Sequence, residues 1–121
     1  MHEFPGPHDR IRRVLDAALA GCTYTSSRTE GDGSVLVLQA RRADGRGVGV
    51  RFRAVKASET DTPPEPGAPL TVESVKREST SLVSRFLPIL KPPGPAYARV
   101  RIGAGPATLE VVCQDAEWWE E

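Results

Sequence analysis

The sequence predicts an α+β domain: an N-terminal helix packed on an antiparallel sheet of about six strands, with a partly closed barrel as the variant. Three observations carry this reading. Apolar residues recur at helical spacing near the N-terminus, and two apolar, β-branched runs flank Asp44-Gly45 in the middle of the chain. After them, strand-like segments outnumber helical ones and no βαβ alternation develops, which favours antiparallel pairing.

Residues 1–7 read as a short leader stiffened by Pro5, Gly6 and Pro7, and the helix begins at His8 or Asp9. Ile11, Val14, Leu15, Ala18 and Leu19 fall at i, i+3, i+4, i+7 and i+8, which lays one apolar stripe along the helix. Asp9 is a candidate N-cap and Gly21 a candidate C′ residue. Arg10, Arg12, Arg13 and Asp16 take the remaining surface. Burial of the four larger apolar side chains contributes roughly 1.5–3 kcal/mol each before entropy. A helix of about a dozen residues is marginal alone, so this one has to dock on the sheet.

Residues 22–30 alternate weakly and are rich in threonine, as suits an edge strand, and Gly31-Asp32-Gly33 turns the chain. The segment 34–57 is the central hairpin. Val35, Leu36, Val37 and Leu38 leave no polar face, which marks a strand covered on both sides. In the second arm Val48, Val50, Phe52 and Ala54 share one face, and Gly49, Arg51, Arg53 and Val55 the other. Residues 58–69 hold four prolines and no large apolar residue, so they read as an extended surface loop. Residues 70–77 form a further strand. Residues 78–91 are an apolar connector, either a short helix capped by Ser79-Thr80-Ser81 or an irregular flap, and residues 92–95 reset the chain. Residues 96–104 and 107–114 are two strands around Gly105-Pro106, and residues 115–121 are an acidic tail holding two tryptophans.

At 121 residues the chain has room for one domain with its own core. Sixteen basic and sixteen acidic residues cancel, so no global charge draws it to nucleic acid or to a membrane surface. No apolar run approaches the ~18 residues of a membrane span. The N-terminus lacks the basic-then-apolar order of a signal peptide, and a cytoplasmic location is the default expectation. Cys22 and Cys113 are too few and too far apart for a zinc knuckle or a redox pair. They read as small buried hydrophobes; the sharper alternative is a bridge joining the first and last strands.

The chain is neutral but polarised. Residues 34–57 carry six basic side chains against Asp44, whereas residues 107–121 carry five acids and no base. Arg51 and Arg53 share a strand face, and so do Tyr97, Arg99 and Arg101. A basic face with an interleaved tyrosine suits phosphate contacts and base stacking. Cross-strand pairing of these arginines with Glu73 and Glu110 is the plainer account, and a pI near 6.7 favours it. A third arrangement has the acidic tail folding over the basic face.

Catalysis, a cofactor and a metal find little support. His2 and His8 lie in or beside the leader, where no regular spacing joins them to Glu3 and Asp9. The glycines at 45, 47 and 49 precede a strand instead of a helix, so they are no phosphate loop. Cys22 lacks a basic setting that would lower its pKa. Ser79-Thr80-Ser81 has no base nearby in sequence, and Glu73 with Glu110 is no more than any pair of sheet glutamates.

The expectation is therefore a binding protein, not an enzyme. Its favoured contact elements are Phe86, Leu87 and Ile89 of the connector with Trp118 and Trp119 of the tail, engaging a protein partner or a second copy of the chain. Adjacent residues on an extended segment point opposite ways, so one tryptophan packs on the sheet and the other is presented. The alternative, from another class, is small-ligand or nucleic-acid binding through Arg51, Arg53, Tyr97, Arg99 and Arg101.

Overall fold

The apolar stripe of the first helix decides where that helix sits. In the structure, a computed structural model described for residues 7–78 and 97–121, α1 spans Pro7–Leu19. It starts on a proline, whose missing N–H costs nothing in the first turn. Ile11, Leu15, Ala18 and Leu19 are all but inaccessible, while Arg10, Arg12, Arg13 and Asp16 remain exposed.

Eight strands follow among the described residues: β1 (Thr23–Glu30), β2 (Val35–Arg41), β3 (Gly47–Arg53), β4 (Ala57–Thr60), β5 (Leu70–Arg77), β6 (Ala98–Ala104), β7 (Ala107–Cys113) and β8 (Asp115–Glu120). They form two antiparallel four-stranded sheets, ordered β1-β2-β3-β8 (sheet 1) and β4-β7-β6-β5 (sheet 2). The α+β class and the antiparallel pairing thus match the sequence reading. The count of six strands and the partly closed barrel do not: the described residues form two sheets and no closed barrel.

The two additional strands have physical reasons. Ala54 adopts a left-handed backbone, φ 53°, which ends β3 and swings the chain from sheet 1 to sheet 2. The alternation read through Ala54 and Val55 breaks there. Ala54 is exposed, and Val55 packs against the core instead. Residues 57–60, read as the end of the central strand and the start of a loop, then pair with β7 as β4. The proline-rich loop is correspondingly shorter, and Asp61 anchors it by accepting the Thr108 N–H at 2.9 Å. The acidic tail is β8. It pairs in register with β3, from Val48 opposite Glu120 to Arg53 opposite Asp115. Opposite Ala54, the backbone of Gln114 donates to Arg53 and that of Lys56 to Val112, so both paired strands turn the same corner together.

The central hairpin closes through Gly45 at φ 92°, a conformation glycine adopts without strain, with Asp44 accepting the Arg46 N–H at 2.9 Å. Inward residues of both sheets (Leu38, Val48, Val50 and Phe52; Val100, Ile102, Leu109 and Val111) join the helix stripe in one core. No polar or charged residue among those described is buried. The sandwich has two open sides. On one, α1 packs between the edge strands β5 and β8. The other lies between β1 and β4, while residues 67–70, which lead into β5, bond to residues 22–24 and so join the start of β1 to the start of β5.

None of the described helices is long and apolar enough to cross a membrane.

Candidate functional site

The two tryptophans lie on opposite faces of β8, as strand alternation requires. Trp119 stands opposite Gly49 on the outer face of sheet 1, and its ring lies directly on that glycine. A Cβ at position 49 would sit 2.2 Å from the ring, so only glycine leaves the space. The Arg51 guanidinium covers the ring at 5.3 Å and reaches Glu117 at 3.1 Å. Trp119 is therefore held from both sides.

Trp118 points to the other face, opposite Val50 but at the sheet edge, and keeps 38% of its surface exposed. Arg42, from the turn between β2 and β3, stacks on it at 5.6 Å. The same guanidinium binds Glu120 at 3.0 Å and donates to the Ala17 carbonyl of α1 at 3.4 Å. Arg42 thus ties hairpin, helix and last strand to one indole. Its role was not singled out from the sequence, where it was one of six basic residues in the hairpin.

The acids of β8 are all engaged. Asp115 meets Arg10 at 3.1 Å, Glu117 meets Arg51 and, more loosely, Arg53 at 3.9 Å, and Glu120 meets Arg42. Exposed pairs of this kind contribute about 0–1 kcal/mol each. Glu117 lies between the two arginines of β3 and offsets part of their positive charge.

The five residues read as a basic face are divided between the sheets. Arg51 and Arg53 face outward from sheet 1, and Arg99 and Arg101 outward from sheet 2, on the far side of the shared core. Arg99 is bidentate to Glu78, both contacts at 3.0 Å, and also binds Glu110. Those Glu78 hydrogen bonds and that carboxylate's charge raise the Arg99 pKa, with Glu110 adding to them. Arg101 stands opposite Glu110 in register and contributes a minor part of the lowering of the Asp61 carboxyl, which comes first from the Thr108 N–H. Tyr97 carries the Lys56 ammonium over its ring at 5.3 Å. Phe86, Leu87 and Ile89 lie outside the described residues.

Cys22 and Cys113 are buried free thiols. Burial raises both, Cys22 against a lowering by Arg42, and takes Cys113 from the ordinary 9.0 to about 12. A thiol that keeps its proton in the fold stabilises it fully below pH 9.0, and that contribution is lost as pH rises toward about 12, because the unfolded thiol ionises first. Iodoacetamide at pH 8 should accordingly leave both cysteines unmodified in the native protein and label both in urea. Fast native labelling would contradict their burial.

A small cleft opens between the sheets, lined by Ser27 and Leu36 on one side and by Ser58, Glu59, Thr60, Leu109, Glu110 and Val111 on the other. Its volume is about 90 Å³, well under the ~300 Å³ at which pockets for small molecules begin. Among the described residues no three His, Cys, Asp or Glu side chains converge on one point.

The sequence held one unused clue to this site. A glycine between Val48 and Val50 in a strand marks a close approach, and here the approaching group is Trp119. Comparison with known protein families and with curated proteins finds no match to this chain.

Proposed function

We propose that the protein is a binding module that contacts another protein chain, a partner or a second copy of itself, through the β8 edge of sheet 1. Trp118 is the anchor. One observation carries this reading: among the described residues Trp118 is the large hydrophobic side chain left exposed, and Arg42 holds it in place. Tryptophan and arginine are the residue types most enriched where interfaces concentrate their energy. An indole fixed before binding also loses little conformational freedom on contact. Trp119, packed on Gly49, supports the strand that presents its neighbour.

Phosphate or nucleic-acid binding through Arg51, Arg53, Tyr97, Arg99 and Arg101 has weaker support. Arg51 and Arg99 already hold carboxylates, and the set is split over two faces.

Native mass spectrometry of the untagged protein tests the proposal. The wild type should carry a second chain, and Trp118→Ala should lose it while remaining folded by circular dichroism. The complex should also survive moderate salt, because an apolar contact is not screened. A bare wild-type monomer, or a complex that Trp118→Ala leaves intact, would refute it.

A further inference from the structure

We propose that the side of the sandwich opposite α1 receives an extended peptide segment of another protein, which adds a strand to the free edge of β4. The segment places a basic residue opposite Glu59 and an adjacent aliphatic residue in the cleft. This surface is separate from the Trp118 edge, since β1 and β8 are the two opposite edges of sheet 1.

The backbone supplies the first argument. Among the described residues β4 has one neighbour, β7, all four of its residues are exposed, and no described strand pairs with its outer row of N–H and C=O groups. β1, whose Ser27 lines the same cleft, is less available: a bulge follows Tyr24, and its first residues already bond to residues 67–70 at the start of β5. β4 carries neither device, so the incoming strand adds there.

The cleft supplies the second. Leu36, Leu109 and Val111 form its apolar floor, while Ser27, Ser58 and Thr60 stand at its margin, where a closed core would have aliphatics. A space of about 90 Å³ excludes a metabolite but suits one side chain. Ser58 and Thr60 pair with Val111 and Leu109, so a strand residue opposite either of them points into this space.

Charge selects the occupant. Glu59 stands directly opposite Glu110, an unfavourable like-charge pair, and on the face away from the core. Glu110 is engaged by Arg99, whereas Glu59 has no cationic partner among the described residues. A peptide residue opposite Glu59 shares that outward face, and a lysine or arginine there offsets both carboxylates. Alternation then turns its neighbours toward the cleft. The recognised pattern is aliphatic-basic-aliphatic in extended conformation.

The test is titration of the full chain, followed by amide chemical shifts, with a blocked Thr-Val-Lys-Val-Thr peptide. Saturable binding is expected, with shifts centred on residues 57–60. Three changes should each weaken it about tenfold or more: glutamate for the peptide lysine, serine for both valines, and Glu59→Lys in the protein. Methylation of the peptide nitrogens that face β4 should do the same, whereas Trp118→Ala should leave binding unchanged. Absence of saturable binding overturns the proposal. So does equal binding of the serine or methylated peptide, which would mean charge attraction alone, or equal binding by the correctly folded Glu59→Lys protein.

Discussion

Replacing Gly49 with alanine is expected to displace Trp119 and to destabilise the protein by about 1–3 kcal/mol, the usual cost of forcing a methyl group into a filled space. The added Cβ would lie 2.2 Å from the indole and 2.8 Å from a third ring atom, distances at which one group has to leave. The backbone at 49 cannot retreat, because β3 is paired on both sides, with β2 and with β8. The ring must therefore swing off the strand and give up its stacking on Arg51, worth roughly 0.5–1 kcal/mol more. Urea denaturation with tryptophan emission as the probe should show a lowered midpoint and a shifted native spectrum. A double-mutant cycle sharpens the result. In a Trp119→Ala background the same Gly49→Ala change should cost little, since nothing remains to collide with. Equal costs in both backgrounds would show that the indole does not lie on Gly49.

Truncation of Phe52 to alanine should cost about 3–5 kcal/mol, a large share of the ~5–15 kcal/mol that holds a typical domain together. Phe52 is fully buried and is the largest side chain that the core encloses completely. In register it lies between Leu36 of β2 and Ala116 of β8, so the last strand of the chain forms part of its wall. Partial collapse of small neighbours such as Ala116 would set the lower end of the range, and an empty cavity the upper end. A loss under about 1 kcal/mol in urea denaturation would mean that Phe52 does not sit in a packed interior.

How much of this was legible depended on whether a segment's neighbours write themselves into its own sequence. The helix did so, because its apolar stripe at positions 11, 14, 15, 18 and 19 is periodic whatever it packs on. The hairpin around Asp44-Gly45 and the strand at residues 70–77 were legible for the same reason. β4 was not, since all four of its residues are exposed and no alternation records a buried face. β8 was half legible. Opposite orientation of Trp118 and Trp119 follows from any extended backbone, but the pairing with β3 and the arginines that meet its acids, Arg10, Arg42, Arg51 and Arg53, lie far away in sequence. The corner at Ala54 left no mark either, because a left-handed alanine is indistinguishable by composition from one inside a strand. That corner is why two arginine sets with the same spacing, at 51 and 53 and at 99 and 101, belong to different sheets.

Residues 115–120 form a strand of sheet 1, and the presentation of Trp118 and the hold on Trp119 both depend on it. Residue-resolved amide hydrogen exchange tests this most directly. Slow exchange is expected for the β8 amides that bond to β3 and for the Glu121 amide, which donates to the Gly47 carbonyl at 2.9 Å, with the outward-facing amides of the same strand exchanging fast. Uniformly fast exchange from residue 115 to the end, as in an unstructured peptide, would contradict the fold of sheet 1 and the functional reading built on it.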